Sequence, residues 1–336
     1  MRTVCLTVLL LASFVLLAGC PGPKPQPPPQ PGNAAQPPAP VTARFTYSEK
    51  ACYAPVIVAV EEGYYAAEGL TIEKRVVTGG IESAEAMISG QADFGTMGDA
   101  PTVIALSRSN NLKLICGQAV GPRMHRLVVR NDSGIKAPAD LAGKKVAVQL
   151  GSSTHGAFLQ YLKRNDVDEK KIQFVSLSPR DFPEAMISKQ VDAIAGSEPW
   201  PGNVMAKCKD SHELANLESP ENNYPLPIMA RAAFLQEHPE VAAAVVRATL
   251  KAVKLLHDSP QKGAEIQAKV SGLTPERELK GMADYDWQVE LDAKTVASLK
   301  QTAQFLHAQK KIKQMPDLDA LIDPRGLEAV VGKATP

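Results

Sequence analysis

The chain has 336 residues, enough for two domains, and its 44% apolar content suffices for proper cores. Lys and Arg number 37 against 36 Asp and Glu, so a net charge of +1 gives no push toward nucleic acid. The sequence holds no His-Glu-x-x-His, Cys-x-x-Cys or Gly-x-Ser-x-Gly and no phosphate loop, and its six histidines lack metal-ligand spacing. Neither a catalytic group, a metal nor a cofactor is therefore expected.

The chain opens on Arg2, an apolar run over 4–18 and the small residues Leu17-Ala18-Gly19 before Cys20. A run this short reads as a signal peptide, residues 1–19, rather than a membrane-spanning helix. Leu-Ala-Gly-Cys also resembles the bacterial lipobox. That resemblance implies that Cys20 becomes the lipidated first residue and anchors the protein outside the cytoplasmic membrane. Residues 21–40 contain ten prolines in twenty and no apolar periodicity. They cannot bury a core, and residues 20–43 are expected to be an extended tether reaching up to roughly 60 Å at about 3.1 Å per residue. A docking motif for a proline-binding domain is the alternative use.

A strand over 45–47 is expected to lead into the turn Ser48-Glu49-Lys50-Ala51-Cys52-Tyr53-Ala54, with Pro55 in the first turn of a helix that Gly69 ends. A strand over 70–77, a helix over 81–89 and a strand over 92–95 follow. Met97-Gly98-Asp99-Ala100-Pro101 then starts another helix, where Asp99 is either an N-cap or a ligand contact. Strands alternating with helices at this spacing predict parallel α/β layers. Ligands of such sheets sit beyond the carboxyl ends of the strands, which places Ser48, Cys52, Tyr53, Gly98 and Asp99 in the candidate site.

The same build recurs. Glu85-Ala86-Met87-Ile88-Ser89-Gly90-Gln91-Ala92-Asp93 returns 99 residues later as Glu184-Ala185-Met186-Ile187-Ser188-Lys189-Gln190-Val191-Asp192. In the second copy Val146-Ala147-Val148 reads as a strand, and Gly151-Ser152-Ser153-Thr154 as the turn into a helix. Such a turn gathers free backbone N–H groups, hydroxyls and the positive end of a helix dipole, a seat for an anion. Ser152, Ser153 and Thr154 are the candidates, with plain helix capping as the alternative. Glu198 and Trp200 follow the next strand end and would face the cleft, unless Trp200 is core. Tyr224 is a further wall candidate. Arg123 and His125 lie near the first crossing between lobes, where Arg123 either meets an anion or is solvated.

The runs Gly90-Gln91-Ala92-Asp93-Phe94-Gly95, Gly98-Asp99-Ala100-Pro101, Asp140-Leu141-Ala142-Gly143-Lys144-Lys145 and Gly151-Ser152, in that order and spacing, are similar to extracytoplasmic solute-binding proteins of ABC importers. The branch resembled is the nitrate/sulfonate/taurine/thiamine-precursor family. The resemblance spans about residues 44 to 325 and implies the type II periplasmic binding fold: two α/β lobes joined by a two-strand hinge, with the ligand cleft between them. Lobe I would comprise 44–126 plus 224–336, and lobe II 127–223, with 126–130 crossing out and 224–233 crossing back. It implies a monomeric binding protein, not an enzyme, delivering a small oxyanion-bearing solute to permease and ATPase subunits. A taurine-like ligand would place its sulfonate at the Ser152–Thr154 turn and its amine near Glu198 and Asp99. Nitrate, a simple sulfonate, a thiamine-precursor pyrimidine on Trp200, or service to a membrane sensor are the alternatives. Thr274 and Asp292 are expected to cap helices, and the basic run 310–313 to be a solvated helix end. Once Cys5 and Cys20 are set aside, Cys52, Cys116 and Cys208 form either one disulfide and a free thiol or three free thiols.

Overall fold

A computed structural model describes residues 40–332. The expected signal segment, Cys20 and most of the tether therefore lie outside the described residues. The folded body starts earlier than the sequence suggested. The first strand begins at Val41 and pairs in parallel with the second from Val41 opposite Leu70 onward, so ladder hydrogen bonds recruit the last residues assigned to the tether.

The described strands form two sheets. The first contains β1 (Val41–Tyr47), β2 (Leu70–Val76), β3 (Phe94–Thr96) and β4 (Leu112–Val120), and later β10 (Pro225–Arg231) and β11 (Asp286–Trp287). The second contains β5 (His125–Arg130), β6 (Lys145–Val148), β7 (Gln173–Ser176), β8 (Ala193–Ser197) and β9 (Ser211–Asn216). Their orders are β11-β4-β10-β3-β1-β2 and β7-β6-β8-β5-β9. In each, a parallel trio (β2-β1-β3 and β7-β6-β8) continues into two antiparallel strands. The two sheets thus share a five-strand order, to which the first adds β11 at its edge.

The repeated sequence has one structural job in both copies. Asp93 donates its N–H to the Arg44 carbonyl at 2.8 Å and its carboxylate accepts the Arg44 N–H at 3.0 Å. Asp192 does the same to Lys145, at 2.8 and 2.9 Å. Each carboxylate also pairs with arginine: Asp93 with Arg44 and Arg231, Asp192 with Arg130. Burial alone would raise the Asp93 pKa, but these hydrogen bonds outweigh it and hold the carboxyl at about 2. The repeat is thus a clamp between a short helix and the first strand of its sheet.

The central strands β3, β4 and β10 of the first sheet are almost wholly buried, whereas β2, at its edge, leaves most of its residues exposed. Phe45 is fully buried, with its ring 5.8 Å from Phe94 and 5.9 Å from Tyr65. The helix expected to run from Pro55 to Gly69 is two pieces, Ala54–Glu61 and Tyr64–Ala67. Gly63, with φ +70°, breaks it, because that left-handed conformation cannot continue a right-handed helix. Thr274 and Asp292 cap their helices as expected, accepting the N–H groups of Arg277 at 3.4 Å and Thr295 at 2.7 Å. The helix Ala293–Ala308 ends before the basic run. Within that run Lys311 packs under Gly151, and Ile312 is buried.

The chain crosses between sheets twice, just before the strands assigned to that role: over 121–124 and over 217–224. The two segments run side by side. The Gly121 N–H donates to the Asn223 and Tyr224 carbonyls at 3.0 and 3.1 Å, and Asn216 Nδ2 donates to the Arg123 carbonyl at 2.7 Å. Cys52, Cys116 and Cys208 are three buried free thiols. No described helix is long and apolar enough to cross a membrane.

Candidate functional site

A cavity of about 210 Å³ lies between the sheets, lined by turns at the carboxyl ends of strands from both. Five helices of eight or more residues begin at its wall: Ala54–Glu61, Gly80–Ile88, Asp99–Arg108, Ser153–Arg164 and Trp200–Lys207. The N-cap residues Tyr53, Gly79, Gly98 and Ser152, and the first helical residue Trp200, all line it. Each start carries unpaired N–H groups and the positive end of a helix dipole, so their fields add at one point. Arranged this way, the cavity favours a negative charge.

The hydroxyls of the Ser152–Thr154 turn divide the work. Ser152 Oγ accepts the His155 N–H at 3.2 Å and is a helix cap. Ser153 Oγ accepts the Ala100 N–H at 3.4 Å from across the cavity. Thr154 Oγ1 lies 2.9 Å from His125 Nδ1. Gly151, at φ +82°, turns the chain so that its own N–H donates to His155 Nδ1 at 3.2 Å. His125 lines the cavity with 1% of its surface exposed, and its Nε2 has no partner. Burial lowers its pKa to about 3, so the ring is neutral near pH 7.

Of the residues named from sequence, Cys52, Tyr53, Gly98, Ser152, Ser153, Thr154 and Trp200 line the cavity together. Four others do not. Ser48 is buried behind β1 with an unpaired hydroxyl. Tyr224 is a second layer, its ring edge-on to His125 at 4.6 Å. Asp99 is not the N-cap, which is Gly98. It is the first helical residue, 2% exposed, and accepts the Thr302 hydroxyl at 2.5 Å. Burial raises its pKa. Glu198 turns away to a second cavity, where Arg126 Nε lies 3.5 Å from it and the Gly202 N–H 3.3 Å. Arg123 likewise points outward, donating to Asp286 at 3.0 Å and to the Ala283 carbonyl at 3.1 Å. The acidic pole expected from Glu198 and Asp99 is thus absent from the cavity, because each has a stronger partner elsewhere.

Sequence reasoning missed Lys50, Arg180 and Glu82, which all line the cavity. Lys50 is half-buried, with its Nζ 6.0 Å from the centre of the Trp200 ring. Arg180 follows β7 as Gly80 follows β2, so the repeat itself was the signal that could have placed it. The Glu82 carboxylate accepts the Thr78 N–H at 2.9 Å and the Thr78 hydroxyl. These hydrogen bonds lower its pKa first, with Arg180 and Lys50 adding to the effect.

Two repeated α/β sheets, two side-by-side connections and a cavity between them define the periplasmic-binding-protein architecture. The chain belongs to the NMT1/THI5-like family, whose model matches residues 51–263. It is 27% identical over 275 residues to the taurine-binding periplasmic protein of Escherichia coli, covering 77% of this chain and 84% of that one. It is 28% identical over 214 residues to a candidate binding protein of Brucella abortus, covering 63% of this chain and 66% of the relative's length. Among solved structures, the periplasmic aliphatic sulphonate binding protein SsuA of Escherichia coli superposes with a TM-score of 0.75 at 22% identity, over 84% of this chain and 98% of that one. The desulfurization enzyme DSZB shares the fold, with a TM-score of 0.71 at 18% identity over 86% of this chain and 98% of that one.

Proposed function

We propose that this chain is the lipid-anchored, extracytoplasmic solute-binding component of an ABC importer, and that it captures a small organosulfonate between its two lobes. The observation that carries the reading is the convergence of five helix N-termini on one cavity whose flanking carboxylates, Asp99 and Glu198, are turned to other partners. A sulfonate's three oxygens match such an array of donors. With Thr154 donating to Nδ1, His125 presents Nε2–H as one more donor to the anion. The taurine-binding relative supports the ligand class.

Size and surface narrow the choice. The cavity's 210 Å³ is many times the roughly 10–15 Å³ that holds one water, so nitrate alone leaves it mostly unfilled. Lys50 over Trp200 occupies the ring on which a pyrimidine would stack. Binding rather than turnover is supported by Cys52, whose thiol burial pushes up to about 12, leaving no thiolate nucleophile near neutral pH. Closure of the lobes would be carried by the segments 121–124 and 217–224.

A thermal-shift screen of the purified chain against alkanesulfonates, taurine, nitrate and thiamine precursors tests the ligand class. A true ligand at about a hundred times its Kd should add roughly 2.7 kcal/mol of stability. A response to the pyrimidine alone, with none to any sulfonate, overturns the sulfonate reading. The anchor is tested by intact mass of the membrane-bound protein: Cys20 should carry lipid and residues 1–19 should be gone, and a retained Met1 with unmodified Cys20 ends the idea.

A further inference from the structure

We propose, building on the sulfonate reading, that the solute carries a second anionic group, held between Lys50 and Arg180, so that the ligand class is a short sulfonate with a terminal carboxylate or second sulfonate. Lys50 reaches the cavity from the turn after β1 and Arg180 from the turn after β7, so the two cations belong to opposite lobes. Neither forms an ion pair among the described residues, whereas Arg126 and Arg130, on nearby β5, each pair with two or more carboxylates. A half-buried ammonium with no paired carboxylate is costly, and repulsion from the exposed Arg180 guanidinium at the same cavity adds to the cost.

Burial pushes the Lys50 pKa down and the charge of Arg180 adds to this, while Glu82 pulls the other way. Glu82 is the only carboxylate among the residues lining this cavity, so the side chains there sum to two positive charges against one negative. The hydrogen-bonding capacity of Glu82 is partly spent on Thr78. An anion at the Lys50–Arg180 end therefore completes the charge balance, and the helix N-termini are left for the sulfonate. An amine at that end would face two cations.

Calorimetry on the purified chain with propane-1-sulfonate, 3-aminopropane-1-sulfonate and 3-sulfopropanoate separates the cases, since the three differ mainly in the terminal group. The dianion is expected to bind about tenfold more tightly than the neutral-tailed monoanion, as one charge-assisted interaction supplies. Lys50→Met and Arg180→Met should each cost the dianion about tenfold more affinity than they cost the monoanion, with circular dichroism confirming that both variants fold. If the monoanion binds as tightly as the dianion, the second anionic group is wrong and the sulfonate reading stands. If the amine binds most tightly and Glu82→Gln abolishes that advantage, Glu82 is an ammonium site and the proposal falls. If none of the three binds, both readings fall together.

Discussion

Replacing Arg126 with methionine is expected to cost about 3–5 kcal/mol of folding stability at neutral pH, the usual result of removing one partner from a buried ionic cluster. Arg126 donates to Asp284 at 2.6 Å and to Glu213 at 2.7 Å, with Glu198 at 3.5 Å, and its own side chain is only 15% exposed. Burial opposes its charge, but the hydrogen bonds to Asp284 and Glu213 more than offset this and raise its pKa. Burial already raises the pKa values of Asp284 and Glu198 while Arg126 is present. Without it, Asp284 and Glu198 face each other and Glu213 with no cation between them, and the folded-state pKa values of Asp284 and Glu198 climb further above the unfolded ones.

The folded variant then binds more protons than the unfolded chain, so its stability falls as pH rises from about 4 through the raised folded values. The deficit relative to the parent is accordingly deepest near pH 7 and shrinks on acidification toward pH 4. Urea denaturation of both proteins at pH 7 and pH 4.5 reads this directly. A loss below about 1 kcal/mol, or a deficit that does not shrink, would show that the cluster is effectively solvated.

The parts that were legible in sequence are those written as spacing. The 99-residue repeat announced two copies of one sheet, and Asp93 and Asp192 make the same hydrogen bonds to Arg44 and Lys145. Turns at strand ends were legible too, because glycine, serine and proline there have few other uses, and they placed Tyr53, Gly98 and Ser152–Thr154 on one cavity. What could not be read is where a charged side chain finds its partner. Glu198 and Trp200 are two residues apart, yet Trp200 faces the cavity while Glu198 pairs with Arg126, a residue 72 positions earlier. Asp99 looked like a cap, but Thr302, in a helix 203 positions later, took its carboxylate. Lys50 and Arg180 sit in short turns without periodicity; the repeat could have pointed to Arg180, but only the sheet order brings the two to the same cavity.

At the Ser152–Thr154 turn, removing hydroxyls one at a time should separate a cap from a ligand seat. Ser152→Ala loses the acceptor for the His155 N–H, so it should cost about 1 kcal/mol of stability with the smaller effect on affinity. Ser153 Oγ makes a long 3.4 Å contact to the Ala100 N–H and also lies beside the buried Asp99 carboxylate, whose pKa it helps to lower, so its hydroxyl is weakly held and can be drawn to a bound sulfonate. Ser153→Ala should leave stability nearly intact and weaken sulfonate binding by about ten- to a hundredfold, the roughly 1.5–3 kcal/mol of one charge-assisted hydrogen bond in a desolvated site. Thr154→Val acts through His125: it removes the partner of Nδ1 and with it the bond that holds the ring as an Nε2–H donor. It should lower affinity by a similar factor, and the double variant should bind more weakly than either single one. Because both hydroxyls serve one anion, the two losses are not expected to add fully. Calorimetric titration with the sulfonate identified by the screen, paired with melting curves for each variant, provides both readouts. Should Ser153→Ala and Thr154→Val melt normally and bind that sulfonate with the parent's Kd, the anion sits at another of the five helix starts.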